Sequence, residues 1–500
     1  MDNISYWIDN TKLKDFDELQ EDIECDVCII GGGITGISTA YKLAKQGLNV
    51  IVLEREKLAS KTTGFTTAKI TSQHGLFYDY LINYKGIEFA RGYLEANEHA
   101  ILDIKNIIEE ENIDCEFEFQ SNYVYTADKS EVPKFEKEIT ALKQLDFPSK
   151  YVKESPLPIK FLAGIEFPNQ AQFNPRKYIE GLYNSIFKNG SKIYEHTKVY
   201  DVEKDSDSYI TMTKNNKVKS KYIVLACHYP FINAPGFYFL KIYQSTSYAI
   251  VVDTKEELFS GMYINTENPT LSFKTIKHGN KRLLLIGGND HKTGQNIELK
   301  DRYEILEATA KNLYSDSEVL YRWSTEDCIS LDKIPYIGTF SKLMPNMFVA
   351  SGYKKWGMTT SNIASNIIAD RILGKENPYE DIFTATRLEP IKNKDELGNM
   401  IKQSVNSLVI NKFKIPKEAL DTVENDSGKI IEIDGLNVGV YRNKEGKIYA
   451  VKPVCTHLGC LLKFNDLEKT WDCPCHGSRF NYEGNSIYAP SIKNLERIDL

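Results

Sequence analysis

Five hundred residues exceed what one hydrophobic core can serve, so the chain divides into at least two domains. Its 42% hydrophobic and 26% charged residues, with a formal net charge of −7, are those of a folded globular protein and exclude a disordered chain. The acidic balance also excludes non-specific nucleic-acid binding, because basic stretches such as residues 217–221 are short, interrupted and read as solvated strand ends.

The first 24 residues are acidic and polar, and the first apolar run, residues 27–30, stops at glycines well short of a signal peptide. No apolar run has the length that spans a bilayer, so a cytoplasmic protein with no membrane anchor is expected. Residues 26–30 form a short apolar strand, Gly31, Gly32, Gly33 and Gly36 follow at once, and residues 37–46 carry helical apolar spacing before Gly47. A second strand, residues 50–53, ends at Glu54, where a βαβ unit presents an acid to ribose hydroxyls. Gly31 permits the tight turn, Gly33 lets the backbone approach a pyrophosphate, and Gly36 lets the helix pack on the strand. The helix N-terminus then stabilises phosphate charge. The arrangement indicates a dinucleotide, against a glycine-rich loop that binds nothing, and does not choose between FAD and NAD.

Later segments bear on that choice. Asn174-Pro175-Arg176 precedes an amphipathic helix, residues 222–227 form an apolar strand, and residues 332–338 and 348–358 are rich in glycine and aromatic residues. Together they resemble the D-amino-acid oxidase and glycine oxidase superfamily of flavoenzymes, over about residues 25–375. The resemblance implies FAD and an α/β Rossmann-like FAD-binding domain with an interleaved α+β substrate layer. It further implies that the last glycine-rich turn and its helix aim amides at the flavin's pyrimidine edge, making Gly352, Trp356, Gly357 and Met358 flavin contacts. Residues 60–74 fall where the family places a loop against the diphosphate and flavin, with Thr63, Gly64, Thr66 and Thr67 as donors; a plain surface loop is the competing reading. Within that loop His74 is a candidate for flavin tethering or proton transfer, against a structural histidine. Residues 88–110 read as a helix, and residues 248–252, 271–275 and 282–286 as strands laid over the flavin. Lys274 is a candidate to face the flavin, as a lysine does in some amine-oxidising relatives, against a solvent-facing strand lysine. Residues 287–291 read as a turn built from turn formers.

A boundary is expected between Ile372 and Pro416, where the helix 361–373 gives way to Gly374, Pro378 and Pro390. The chain is divided accordingly into a flavin domain (1–375), a linker (376–415) containing a mixed polar and helical connector (395–408), and a C-terminal domain (416–500). Short β-like runs at 430–433, 438–441 and 448–451 give that last domain a small antiparallel, all-β character. Of nine cysteines, Cys25, Cys28, Cys115, Cys227 and Cys328 are scattered, whereas Cys455, Cys460, Cys473 and Cys475 are grouped. Cys455-Thr456-His457 and Cys473-Pro474-Cys475-His476 place two Cys/His pairs on two tight loops. A Rieske [2Fe-2S] centre needs two thiolates on one iron and two imidazoles on the other, which Cys455 with Cys473 and His457 with His476 supply. A zinc ribbon is the alternative, although its pairs ordinarily read C-x2-C. Residues 430–500 resemble the Rieske proteins of cytochrome bc complexes. That resemblance implies a loop-clamping disulfide between Cys460 and Cys475 and a proline loop at Ala489-Pro490 covering the cluster. It also implies two hydroxyl donors to the cluster, of which Ser478 is kept and the second is replaced by Phe480.

The whole chain resembles bacterial FAD-dependent oxidoreductases with a fused C-terminal Rieske domain. Electron counting then favours a dehydrogenase of an amine or amino acid, whose electrons leave singly through the cluster to an external one-electron partner. A reductase running the other way and a redox sensor are the alternatives. The tip carrying His457 and His476 is expected to dock near the flavin, within one chain or across a homo-oligomer.

Overall fold

A computed structural model describes residues 4–188, 190–295, 302–387, 398, 415–416 and 419–500. The first apolar run becomes the centre of a parallel sheet. Strand Ile23–Ile30 pairs in parallel with Val50–Leu53 on one side and Lys217–Leu225 on the other, aligning Ile29 with Val52 and Val224. Met344–Ser351 and Lys192–Tyr194 extend the parallel set at either end. Residues 27–30 and 50–53 are buried throughout, as expected where both faces of a parallel sheet are covered. One face is covered by helix Ile34–Lys45, which packs against helices Gly357–Ile372 and Pro175–Lys188.

The turn between the first strand and its helix is glycine by necessity. Gly31 has φ +115°, and a Cβ there would lie 2.5 Å from the Ala226 carbonyl oxygen. A Cβ on Gly36 would lie 2.0 Å from the Gly31 carbonyl oxygen, so this glycine allows the helix to approach the turn.

The second layer is a largely antiparallel sheet built around Ile242–Asp253, Lys281–Lys292, Leu271–His278, Glu118–Thr126, Ala163–Gln172 and Glu318–Ser330. Here the reading of residues 287–291 as a turn is corrected. They continue strand Lys281–Lys292, and the register opposite Thr246 and Tyr248 shifts instead. Gly288 (φ +132°) and Asn289 (φ +51°) are absorbed in that bulge, which uses turn-forming residues without ending the strand. Helix Tyr6–Asn10 buries Trp7, whose Nε1 donates to the Thr66 carbonyl at 2.7 Å and so holds the threonine-rich loop.

Residues 419–500 form two small antiparallel sheets, Ser427–Ile433 with Leu436–Arg442 and Ile448–Val451, and Lys463–Asn465 with Thr470–Asp472, Arg479–Asn481 and Ser486–Tyr488. They carry cores of their own, one around Trp471, Leu462 and Phe480 and one around Ile431, Val438 and Val440. Apart from residue 398, the connector expected at 395–408 lies outside the described residues.

The C-terminal part seats on the antiparallel sheet through a buried charge cluster. Arg479, with a side chain 3% exposed, donates from Nε to Asp472 Oδ1 at 2.9 Å and from Nη2 to Thr470 Oγ1 at 2.9 Å. Its Nη1 reaches across to Glu326, which is fully buried on strand Glu318–Ser330. Removing one partner of a buried charge leaves the other desolvated and uncompensated. We therefore predict that Glu326→Ala destabilises the seated arrangement by about 3 kcal/mol, the lower end for such a loss because Asp472 still pairs with Arg479. Urea unfolding followed by separate probes of the two parts should show the C-terminal part releasing earlier; coincident, unshifted transitions would contradict this role.

Candidate active site and metal centre

A single cleft at the C-terminal ends of the parallel strands gathers most of the residues expected to meet a dinucleotide. Gly31, Gly33, Glu54, Thr63 and Thr66 line one stretch of it, and Gly352, Gly357 and Met358 line another. Helices Ile34–Lys45 and Gly357–Ile372 both begin on this wall, and neither is capped by the side chain of its own N-cap residue, Gly33 or Trp356. The positive ends of two helix dipoles therefore lie along one space, which suits an anionic ligand. Thr63 Oγ1 accepts from the Ile34 N–H at 3.1 Å and ties the threonine loop to the first helix. The Glu54 carboxylate accepts the Gly32 N–H at 2.7 Å and the Glu56 N–H at 2.8 Å, which orients it at the cleft edge. Each of its oxygens keeps a further lone pair for a ribose hydroxyl.

Four expected contacts lie off this wall, and each has another structural use. Gly36 serves helix packing; the Gly64 carbonyl accepts the Ser5 hydroxyl; Thr67 presses its methyl toward Gly287; and Trp356 stacks on His74 with ring centroids 4.8 Å apart. His74, a candidate for flavin tethering or proton transfer, has both ring nitrogens engaged within the fold. Its Nδ1 pairs with the Tyr93 hydroxyl at 2.7 Å and its Nε2 with the Thr71 carbonyl at 2.9 Å. Burial, with Lys354 nearby, lowers its pKa to about 3 and keeps it neutral. Lys274 is 1% exposed, so it is not a solvent-facing lysine, and it does not line the cleft. Its Nζ donates to the Ala68 carbonyl at 3.3 Å and lies 5.6 Å from the Trp7 ring, while burial drives its pKa well below the ordinary lysine value.

Among the titratable groups on the cleft wall that the sequence did not single out are Lys355 and Asp327. Lys355 forms an ion pair with Asp290 at 2.7 Å, and Asp327 lies alongside with its pKa raised by burial to about 7. Lys355 sits within the closing glycine-rich stretch and could have been noticed there; Asp327 has no local signal. A carboxyl whose folded pKa is raised contributes stability that is present below its unfolded pKa and lost as pH rises through the folded value. Asp327→Asn should accordingly raise the thermal midpoint more at pH 8 than at pH 5, and equal shifts at both pH values would show that the carboxyl is not held protonated.

The two Cys/His loops converge in the C-terminal part. Cys455 and Cys473 are free buried thiols, and the imidazoles of His457 and His476 lie 5.1 Å apart at 89°. Cys460 and Cys475 are joined at an S–S distance of 2.09 Å. The sulfurs of Cys460, Cys473 and Cys475 lie within 4.8 Å of one another, but the disulfide removes two of them from metal ligation, so this group is no zinc triad. Both Nδ1 atoms, on His457 and His476, are buried without a hydrogen-bond partner among the described residues. Buried nitrogens left unpaired are costly, and two of them beside two free thiols fit a cluster with a sulfur-ligated and a nitrogen-ligated iron. The Ser478 hydroxyl accepts the Ser491 N–H at 3.0 Å, which turns its own proton toward the Cys455 sulfur.

The cluster tip packs against the segment that leads into strand Ile242–Asp253. His457 Nε2 pairs with Asn233 Oδ1 at 2.8 Å, and Phe239 stands edge-on to both His457 and His476. Gln244 Nε2 donates to the His476 carbonyl at 3.1 Å and to the Ala489 carbonyl at 2.5 Å. Ala489 lines the cleft described above.

Comparison with known proteins gives this architecture its class. Residues 26–371 match the FAD dependent oxidoreductase (DAO) family and residues 415–499 the Rieske [2Fe-2S] domain. The chain belongs to the FAD dependent oxidoreductase family, is an oxidoreductase that binds FAD in its N-terminal part, and carries a 2Fe-2S cluster in its Rieske domain. It is 38% identical over 496 residues to YhfW of Bacillus subtilis (strain 168), named as a Rieske 2Fe-2S iron-sulfur protein, covering 99% of this chain and 97% of that one. It is 23% identical to gamma-glutamylputrescine oxidoreductase of Escherichia coli (strain K12), over 74% of this chain and 88% of the relative. In fold it matches glycine oxidase from Geobacillus kaustophilus with a TM-score of 0.62 at 19% identity, covering 73% of this chain and all of that one. Among the described residues no helix is long and apolar enough to cross a membrane.

Hydrogen bonds to the cluster's sulfurs stabilise the extra negative charge of the reduced state. Phe480 is fully buried in the same core as Cys455 and Cys473 and offers no such bond. Ser478→Ala should lower the reduction potential and Phe480→Tyr should raise it, in a redox titration followed by electron paramagnetic resonance. Unchanged potentials in both variants would remove the hydroxyl argument.

Proposed function

We propose that this protein dehydrogenates an amine or amino acid in the cytoplasm and passes the electrons, one at a time, through its Rieske cluster to an external one-electron acceptor. The observation that carries the proposal is the Gln244 bridge. One side chain, 1% exposed, bonds both the carbonyl of the ligand His476 and the carbonyl of Ala489 on the cleft wall. We read this bridge as a support for two redox sites working within one chain. Bound FAD supplies two-electron oxidation of a carbon next to nitrogen, and the cluster supplies one-electron relay.

In the balance we assign, the substrate's carbon–nitrogen bond becomes an imine with loss of two electrons and two protons. Both electrons reach the external acceptor in two single steps. Asp327, whose pKa of about 7 suits proton exchange near neutrality, is our candidate to take a proton from the substrate amine, with the Lys355–Asp290 pair beside it to orient polar substrate groups. The substrate class is supported by the relatives named for gamma-glutamylputrescine and glycine oxidation. We assign Gly31, Gly33, Glu54, Thr63 and Thr66 to the dinucleotide and Gly352, Gly357 and Met358 to the flavin, because all eight line one cleft.

Anaerobic mixing with a panel of amines and amino acids tests the reading. A substrate should bleach the flavin first and then reduce the cluster, at a second rate independent of protein concentration, and Cys455→Ser should stop at bleached flavin. Cluster reduction that scales with protein concentration would mean transfer between molecules. Failure of every amine and amino acid to bleach the flavin would refute the substrate class.

A further inference from the structure

The wall of the cleft is not made by the FAD domain alone. Tyr488, Ala489 and Ile492, from the Rieske domain's last strand and the proline loop after it, line the same space as Gly31 and Glu54. Two of their attachments lie toward the Glu54 end. Arg55, the residue after Glu54, donates from Nη2 to the Ile487 carbonyl at 2.8 Å, and the Lys61 ammonium lies 5.2 Å from the Tyr488 ring. The Gln244 amide holds the Ala489 carbonyl, and the buried Arg479–Glu326 pair anchors the strand preceding Ser486–Tyr488. A loop fixed at three points on the FAD domain, with three residues facing the dinucleotide cleft, forms part of that cleft's outer wall.

We infer that the Rieske domain is a structural part of the FAD site: residues 487–492 close the ribose and diphosphate end of the cleft, and FAD is held between the two domains. The loop therefore has two uses. Its inner side covers the cluster, where the Ser491 N–H bonds Ser478 Oγ, and its outer side covers the dinucleotide. Because binding free energies are reciprocal, FAD must favour the seated Rieske domain by as much as seating favours FAD. The inference depends on FAD binding and not on the substrate proposed above, so the two fail independently.

The test uses the full-length protein, stripped of FAD with its cluster retained, and then reconstituted with FAD. Hydrogen exchange of the peptide covering residues 484–495 should slow on FAD addition, along with that of the glycine turn. Ile492→Asp should weaken FAD at least tenfold by equilibrium ultrafiltration while the Rieske paramagnetic signal persists. Leu436→Asp, at a position 66% exposed on the same domain and absent from the cleft wall, should leave FAD affinity unchanged. An unchanged exchange rate at 484–495 on FAD addition overturns the inference whatever the variants do, and so does Ile492→Asp binding FAD within twofold of wild type.

Discussion

The arrangement of this molecule depends on a guanidinium taken out of water between its two domains. Arg479 is partnered from both sides of the contact, since Glu326 belongs to the antiparallel sheet of the FAD domain and Asp472 and Thr470 to the Rieske domain. Desolvated charges tolerate little misplacement, because their attraction offsets the loss of hydration only at close range and with good hydrogen bonds. Such a contact adds little net stability compared with an apolar one, yet it selects one docking position from many. Asp472 and Thr470 hold the guanidinium from the Rieske side and fix its direction toward Glu326.

From that position the rest of the functional geometry follows. The tip histidines come to rest against Asn233 and Phe239, and the Gln244 amide spans the gap between the cluster loop and the cofactor cleft. On the FAD side the equivalent constraint is steric. Gly31 and Gly36 approach each other and the Ala226 carbonyl so closely that any side chain would push the first helix off the sheet and its N–H groups away from the cleft. Two helix N-termini on one wall then provide a fixed positive potential that suits an anionic ligand.

At the cluster, one pair of sulfurs is consumed in joining the loops and the other pair is left free, and the histidines leave unpaired the nitrogens that face the site. The outward nitrogen of His457 is engaged by Asn233, a residue of the other domain. An imidazole fixed at one nitrogen presents the other in a set direction, which is how an outer partner orients a metal ligand.

What the sequence by itself determined is whatever is specified within a few residues. The glycine turn with its flanking apolar strands, the acid at Glu54 and the paired Cys/His loops are each local patterns that spacing reveals, whereas the choice of FAD over NAD rested on a resemblance carried by later segments. The tertiary structure decided the rest. Residues 287–291 carry turn chemistry, but the strands on both sides retain them as a bulge. His74 has the chemistry of a catalyst, but Tyr93 and Thr71 occupy both its nitrogens; Lys274 is polar, but the fold encloses it. The contacts that join the sites, Arg479 to Glu326 and Gln244 to His476, pair residues 153 and 232 positions apart. No local pattern encodes such pairs, because each side chain is ordinary until the packing of two separate cores brings the surfaces together and removes the water between them.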